Sequence, residues 1–221
     1  MLLKVHEDSR AVNTPREFNA WRFWIRWVIA SGVGIGAGVL LWLAAGGAMD
    51  ALGIVGQTVW ARALQAGAVG VAFGTPFGVG QWLVLRRQVE HAGRWVLATA
   101  IGYALVFVLG AVLIPDGEGL ALAPAAQIAL GTMLGAAVAV PAALLQWLFV
   151  LRRQFPGAGW WISGSLFSWA IGFAISFALR LWLGELTFTA GPVIAIGVSG
   201  LVLVRLLQRG ASDSSHASRQ T

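Results

Sequence analysis

Long apolar runs separated by short polar breaks dominate this chain from end to end. Six runs, near 23–46, 66–85, 95–114, 125–151, 160–183 and 189–208, each reach the roughly 20 residues that a helix needs to cross a hydrocarbon core. The pattern predicts an all-α integral membrane protein, with a six-helix transmembrane domain over 23–208. Ahead of it, residues 1–22 read as a polar cytoplasmic segment with Lys4, Glu7, Asp8, Arg10, Arg16 and Glu17. That segment has no apolar core before a small-residue cleavage site, so it does not read as a cleaved signal peptide. The tail over 209–221, which includes "ASDSSHASRQT", is short and polar and is expected to be disordered and cytoplasmic.

Charge orients the six helices. When alternate breaks are assigned to opposite faces, one face collects Lys4, Arg10, Arg16, Arg22, Arg26, Arg86, Arg87, Arg94, Arg152, Arg153, Arg205, Arg209 and Arg219. Of the 15 basic residues only Arg62 and Arg180 fall on the other face, beside Asp50, Asp116, Glu118 and Glu185. Basic residues stay on the cytoplasmic side of helical membrane proteins, so both termini are expected in the cytoplasm. An odd number of spans would destroy the segregation.

Composition narrows the chemistry. Hydrophobic residues make up 58% and charged residues 11%, against about 25% charged in an average soluble domain. The 29 glycines and 12 tryptophans fit membrane helices and their interfaces. With no cysteine there can be no disulfide, thiolate metal site or cysteine nucleophile. His6, His91 and His216 all fall outside the runs, and no acidic residue falls inside one. No cofactor, metal site or intramembrane proton relay is therefore expected. "GVSG" at Gly197 to Gly200 matches the Gly-x-Ser-Gly of rhomboid proteases, but no helix supplies the histidine base, so Ser199 reads as packing.

One string is written twice. "QWLVLRRQ" begins at Gln81 and "QWLFVLRRQ" at Gln146, each five residues after a proline, Pro76 or Pro141. Similar helix starts, "IRWVIASGVG", "GRWVLATAIG" and "GWWISGSLFS", bring Trp27, Trp95 and Trp161 into register. The period is about 67 residues, two helices per unit, with units near 23–93, 94–159 and 160–208. A third helix end, "GVSGLVLVRLLQ", has lost the Gln-Trp pair and one arginine. Units with an even number of spans enter the membrane alike, so three hairpins about a pseudo-threefold axis along the membrane normal are expected. Mitochondrial carriers share that count, but their Pro-x-Asp/Glu-x-x-Lys/Arg signature does not follow Pro76, Pro141 or Pro192. The likeness stops at topology.

The Trp95-Val96-Leu97-Ala98 start and the Gln81 to Arg87 end resemble those of bacterial multi-pass membrane proteins that repeat "WVLA" and "QWLVLRR" strings. The resemblance covers nearly all of the apolar chain. It implies topology and a bacterial origin only, and it carries no activity; with the six spans, the bacterial cytoplasmic (inner) membrane is the expected location.

The repeated string supplies the candidate residues. Trp82 and Trp147 are expected at the headgroup boundary, with Arg86, Arg87, Arg152 and Arg153 meeting anionic lipid headgroups or a partner. "RFWIRW" at Arg22 to Trp27 mixes bases with aromatics, as nucleic-acid binders do, but beside an apolar span it reads as an interfacial cuff. Gln81 falls on a face with Gly74 and Gly78, and Gln146 on one with Gly135, Ala139 and Ala142. Such faces let helices approach, and a polar side chain among them can bond across the junction. Ser165 and Ser168 repeat the idea with Gly172 and Ser176, as does the glycine run from Gly32 to Gly38.

Two functions are then open. One is a non-enzymatic structural, assembly or accessory component of the membrane, working with a membrane-protein partner or a second copy of itself. The other is an uncoupled channel or transporter for a small neutral or lipophilic solute. A continuous wet path lined by Gln146, Ser165 and Ser168 would favour transport, and a dry packed centre the first reading.

Overall fold

A computed structural model describes residues 18–53, 58–113, 123–184 and 190–217, with side chains through 210. It is all-helical, and six helices are long and apolar enough to cross a membrane. They are α1 (Ala20–Ala51), α2 (Val59–Leu85), α3 (Gly93–Leu113), α4 (Pro124–Gln146), α5 (Trp160–Leu183) and α6 (Ala190–Ala217). A π turn, Trp147–Leu151, extends α4.

The ends follow local chemistry. The Asn19 side chain accepts from Arg22 N at 2.9 Å and caps α1. Thr58 caps α2 in the same way, accepting from Ala61 N at 3.2 Å. That cap starts α2 at Val59, seven residues before the expected 66. Lys4, Arg10, Arg16, Asp116, Glu118, Glu185, His6 and Arg219 lie outside the described residues. The tail departs from expectation: α6 stays helical through Ala217, so much of the 209–221 segment continues the helix. Adding a residue to an existing helix avoids the nucleation cost that would keep the same sequence unfolded alone.

Each helix packs mainly on its neighbours in sequence, and α1 closes on α6, which makes a six-membered ring. The most extensive packing is between α2 and α3 and between α4 and α5, and the least extensive of the six junctions is that of α1 with α6. Small residues set these approaches. A Cβ on Gly34 would sit 2.7 Å from Pro76 O, and one on Gly74 would sit 2.9 Å from the Ala100 Cα. Gly102 is pressed against Ala142, and Gly172 against the Gly191 carbonyl. The glycine run of α1 divides by face: Gly34 and Gly38 meet α2, whereas Gly32 and Gly36 have open space beside them. The large apolar side chains left exposed, such as Leu40, Leu64, Leu97 and Val193, face outward as a lipid-facing wall requires.

Candidate functional site

The centre of the ring is built from tryptophan. Trp27, Trp95 and Trp161, one near the start of each odd-numbered helix, are all buried and meet as a triangle. Their ring centroids lie 6.2 Å apart for Trp27 and Trp95, 6.4 Å for Trp27 and Trp161, and 5.3 Å for Trp95 and Trp161. Two of the contacts are edge-to-face, the geometry that the indole quadrupole favours. A second aromatic triangle joins Phe77, Tyr103 and Trp169, at 5.7, 6.4 and 6.5 Å.

A buried indole must still place its N–H. Trp95 Nε1 donates to Gln81 Oε1 at 2.7 Å, and Trp161 Nε1 donates to Gln146 Oε1 at 3.1 Å. Both glutamines are 4% exposed, and each ties the end of one helix to the start of the next. Gln146 does more, because its Nε2 donates to Thr99 Oγ1 at 2.9 Å, and Thr99 Oγ1 in turn donates to Trp95 O at 2.8 Å. One amide therefore links α3, α4 and α5.

Trp27 solves the same problem differently. Aligning "GVSGL" with "GVGQW" puts Gly200 where Gln81 stands. A Cβ at Gly200 would lie 2.6 Å from Trp27 Cδ1, so no glutamine fits there. The Trp27 N–H goes to the Ile196 carbonyl at 3.2 Å, and Trp24 Nε1 donates to Gly197 O at 2.8 Å. Expectation needs correcting here: "RFWIRW" is not wholly an interfacial cuff. Its aromatic members Phe23 and Trp27 are buried against the ring, because two residues four apart share one helix face, while Arg22 and Arg26 stay exposed.

Four residues after each triad tryptophan stands a buried hydroxyl: Ser31, Thr99 and Ser165. Thr99 is bonded as described, whereas Ser31 Oγ and Ser165 Oγ meet no donor or acceptor. Ser165 lines a cavity of about 30 Å³ bounded by members of both aromatic triangles and by Gln81, Gln146 and Ser199. Its lining carries no charged side chain. Ser199 Oγ donates to Ile196 O at 3.1 Å. The α5 serines do not form one line into this cavity. Ser168 donates to Gly164 O within its own helix, and Ser176 Oγ accepts from Gly191 N at 2.7 Å at the junction with α6.

The arginine pairs lie at the ends of α2 and the π turn. Arg86, Arg87, Arg152 and Arg153 are exposed, and Trp82 and Trp147 are half-buried below them. The Arg86 guanidinium stands 5.4 Å over the Trp82 ring. An open groove of about 430 Å³ runs beside Trp82, Arg86, Arg87, Glu90 and His91. Gln146 precedes its first arginine by one residue more than Gln81 does. The π turn absorbs that residue: Arg152 N reaches back five residues to Trp147 O at 2.9 Å, where Arg86 N reaches four to Trp82 O at 2.8 Å. Beyond it the two loops bond alike. Gln88 N and Gln154 N donate to Leu85 O and Leu151 O, and Trp95 N and Trp161 N to Ala92 O and Ala158 O. His91 and Gly157, equivalent in these turns, have φ of 53° and 72°. The Gln154 side chain clasps the Glu90 backbone, accepting from its N at 2.8 Å and donating to its O at 2.9 Å.

Sequence reasoning aligned the three tryptophans and named Ser165, but it missed that the indoles meet and that Ser31 and Thr99 stand at the equivalent places. The signal was present, as a tryptophan and a small hydroxyl residue four apart at three matching places. Among the described residues, no three His, Cys, Asp or Glu side chains come together. Comparison of the chain with protein-family models, with curated proteins and with solved structures finds no match in any of the three.

Proposed function

We propose that this chain is a non-enzymatic structural or assembly component of the bacterial cytoplasmic membrane. In this reading three helical hairpins surround a pseudo-threefold axis along the membrane normal, with both termini in the cytoplasm. The observation that carries it is the filled centre. The Trp27, Trp95 and Trp161 triangle and the Phe77, Tyr103 and Trp169 triangle occupy the space through which a solute path along that axis would run.

The repeat is supported by the matching Gln-to-Trp bonds and by the bonding of the two arginine-bearing loops. Exposed arginines at two equivalent helix ends support contact with anionic headgroups or with a membrane-protein partner, including a second copy. Proteoliposomes carrying the protein should pass water and small neutral solutes no faster than protein-free vesicles in a stopped-flow shrinkage assay. Protein-dependent flux would overturn this reading in favour of an uncoupled channel or transporter.

A further inference from the structure

We propose that the cavity under the tryptophan triangle is an internal water site, in which Ser165 holds one or two water molecules against the glutamine amides. Three observations point to this ligand. Ser165 is 4% exposed, and its Oγ has no protein partner. A buried hydroxyl left without any hydrogen bond is costly in a protein interior. The cavity it faces holds about 30 Å³, which exceeds the roughly 10–15 Å³ that a single water requires.

Its lining also supplies the several polar partners that a buried water needs, from Gln81, Gln146 and Ser199. Without a charged lining residue an ion would be uncompensated there, and the volume excludes larger solutes. The chemistry that fits is a neutral molecule of water's size that both donates and accepts. Such a water would complete the polar layer in which Gln146 already joins α3, α4 and α5. The competing arrangement turns the Ser165 hydroxyl onto the Trp161 carbonyl, as Thr99 bonds Trp95 O.

Hydroxyl-radical footprinting of the reconstituted protein by X-ray radiolysis separates the two, because a bound water is activated where it sits. Trp161, 3% exposed, lines the cavity, and Trp95, 0% exposed, does not. Oxidation of Trp161 should run several times faster than that of Trp95 in the wild-type protein. Ser165→Val, which removes the hydroxyl and fills the space, should bring the ratio near one, and Ser165→Ala should lower it. Equal wild-type rates, or an excess that persists in a folded Ser165→Val protein, would overturn the water site. If neither variant folds, the wild-type ratio alone decides.

Discussion

Replacing Gln146 by leucine tests the central junction at its most connected point. The substitution keeps the side chain's approximate volume, removes the acceptor of Trp161 Nε1 at 3.1 Å, and removes the donor to Thr99 Oγ1 at 2.9 Å. Hydrogen bonds between membrane helices contribute on average about 0.6 kcal/mol and at most about 1.7. Two lost bonds therefore amount to roughly 1–3 kcal/mol. Gln81→Leu removes one such bond, from Trp95 at 2.7 Å, and should cost about half as much.

Steric-trap unfolding in bicelles would measure both variants. A double-mutant cycle pairing Gln146→Leu with Trp161→Phe would isolate the shared bond, with an expected coupling of ~0.6–1.7 kcal/mol. A Gln146→Leu cost no larger than that of Gln81→Leu, together with zero coupling, would refute the inference that these amides hold the helices together.

Deleting Phe149, which is half exposed, should convert the π turn to ordinary helix and leave stability within ~0.5 kcal/mol of wild type. Deleting Leu83 from α2 should instead rotate Arg86 and all that follows by about 100° and destabilise the fold, as thermal unfolding would record. His91→Gly should raise stability by roughly 0.5–1 kcal/mol, since glycine escapes the left-handed penalty at φ 53° but loses more chain entropy. A loss of stability would mean that the His91 side chain contributes to the turn. Changing Arg86, Arg87, Arg152 and Arg153 together to glutamine should reduce anionic lipid retained in native mass spectrometry, at ~1 kcal/mol per residue. Unchanged retention would leave those arginines only a part in orientation.

The six helices were legible because length and polarity alone define a span, and the spans near 95–114 and 160–183 agree with α3 and α5 to within about two residues. Helix rotation was much harder to read. A helix that is apolar all round gives no preferred face, so hydrophobicity could not show that Trp27, Trp95 and Trp161 turn inward while Trp60 and Trp182 stay exposed. Glutamine was more telling than tryptophan, since an amide beside small residues has few other places to go in a membrane. Its partner still could not be named, because the Gln81 to Trp95 bond depends on how the loop turns at His91. The extra residue of "QWLFVLRRQ" was visible as spacing, and only the backbone reveals that a π turn absorbs it. Ser165 and Ser168 read as one stripe on a helical wheel, yet their neighbours differ: one faces the cavity and the other bonds within α5.

Sidedness underlies the whole reading, and the absence of cysteine makes it directly measurable. Single cysteines at Arg87, at Arg153 and at Glu118, the last outside the described residues, can be treated with a membrane-impermeant thiol reagent in intact cells. The Arg87 and Arg153 positions should stay unlabelled until the membrane is permeabilised, while the Glu118 position labels at once. Labelling of Arg87→Cys or Arg153→Cys together with Glu118→Cys in intact cells would contradict a six-span protein with its arginine rim in the cytoplasm.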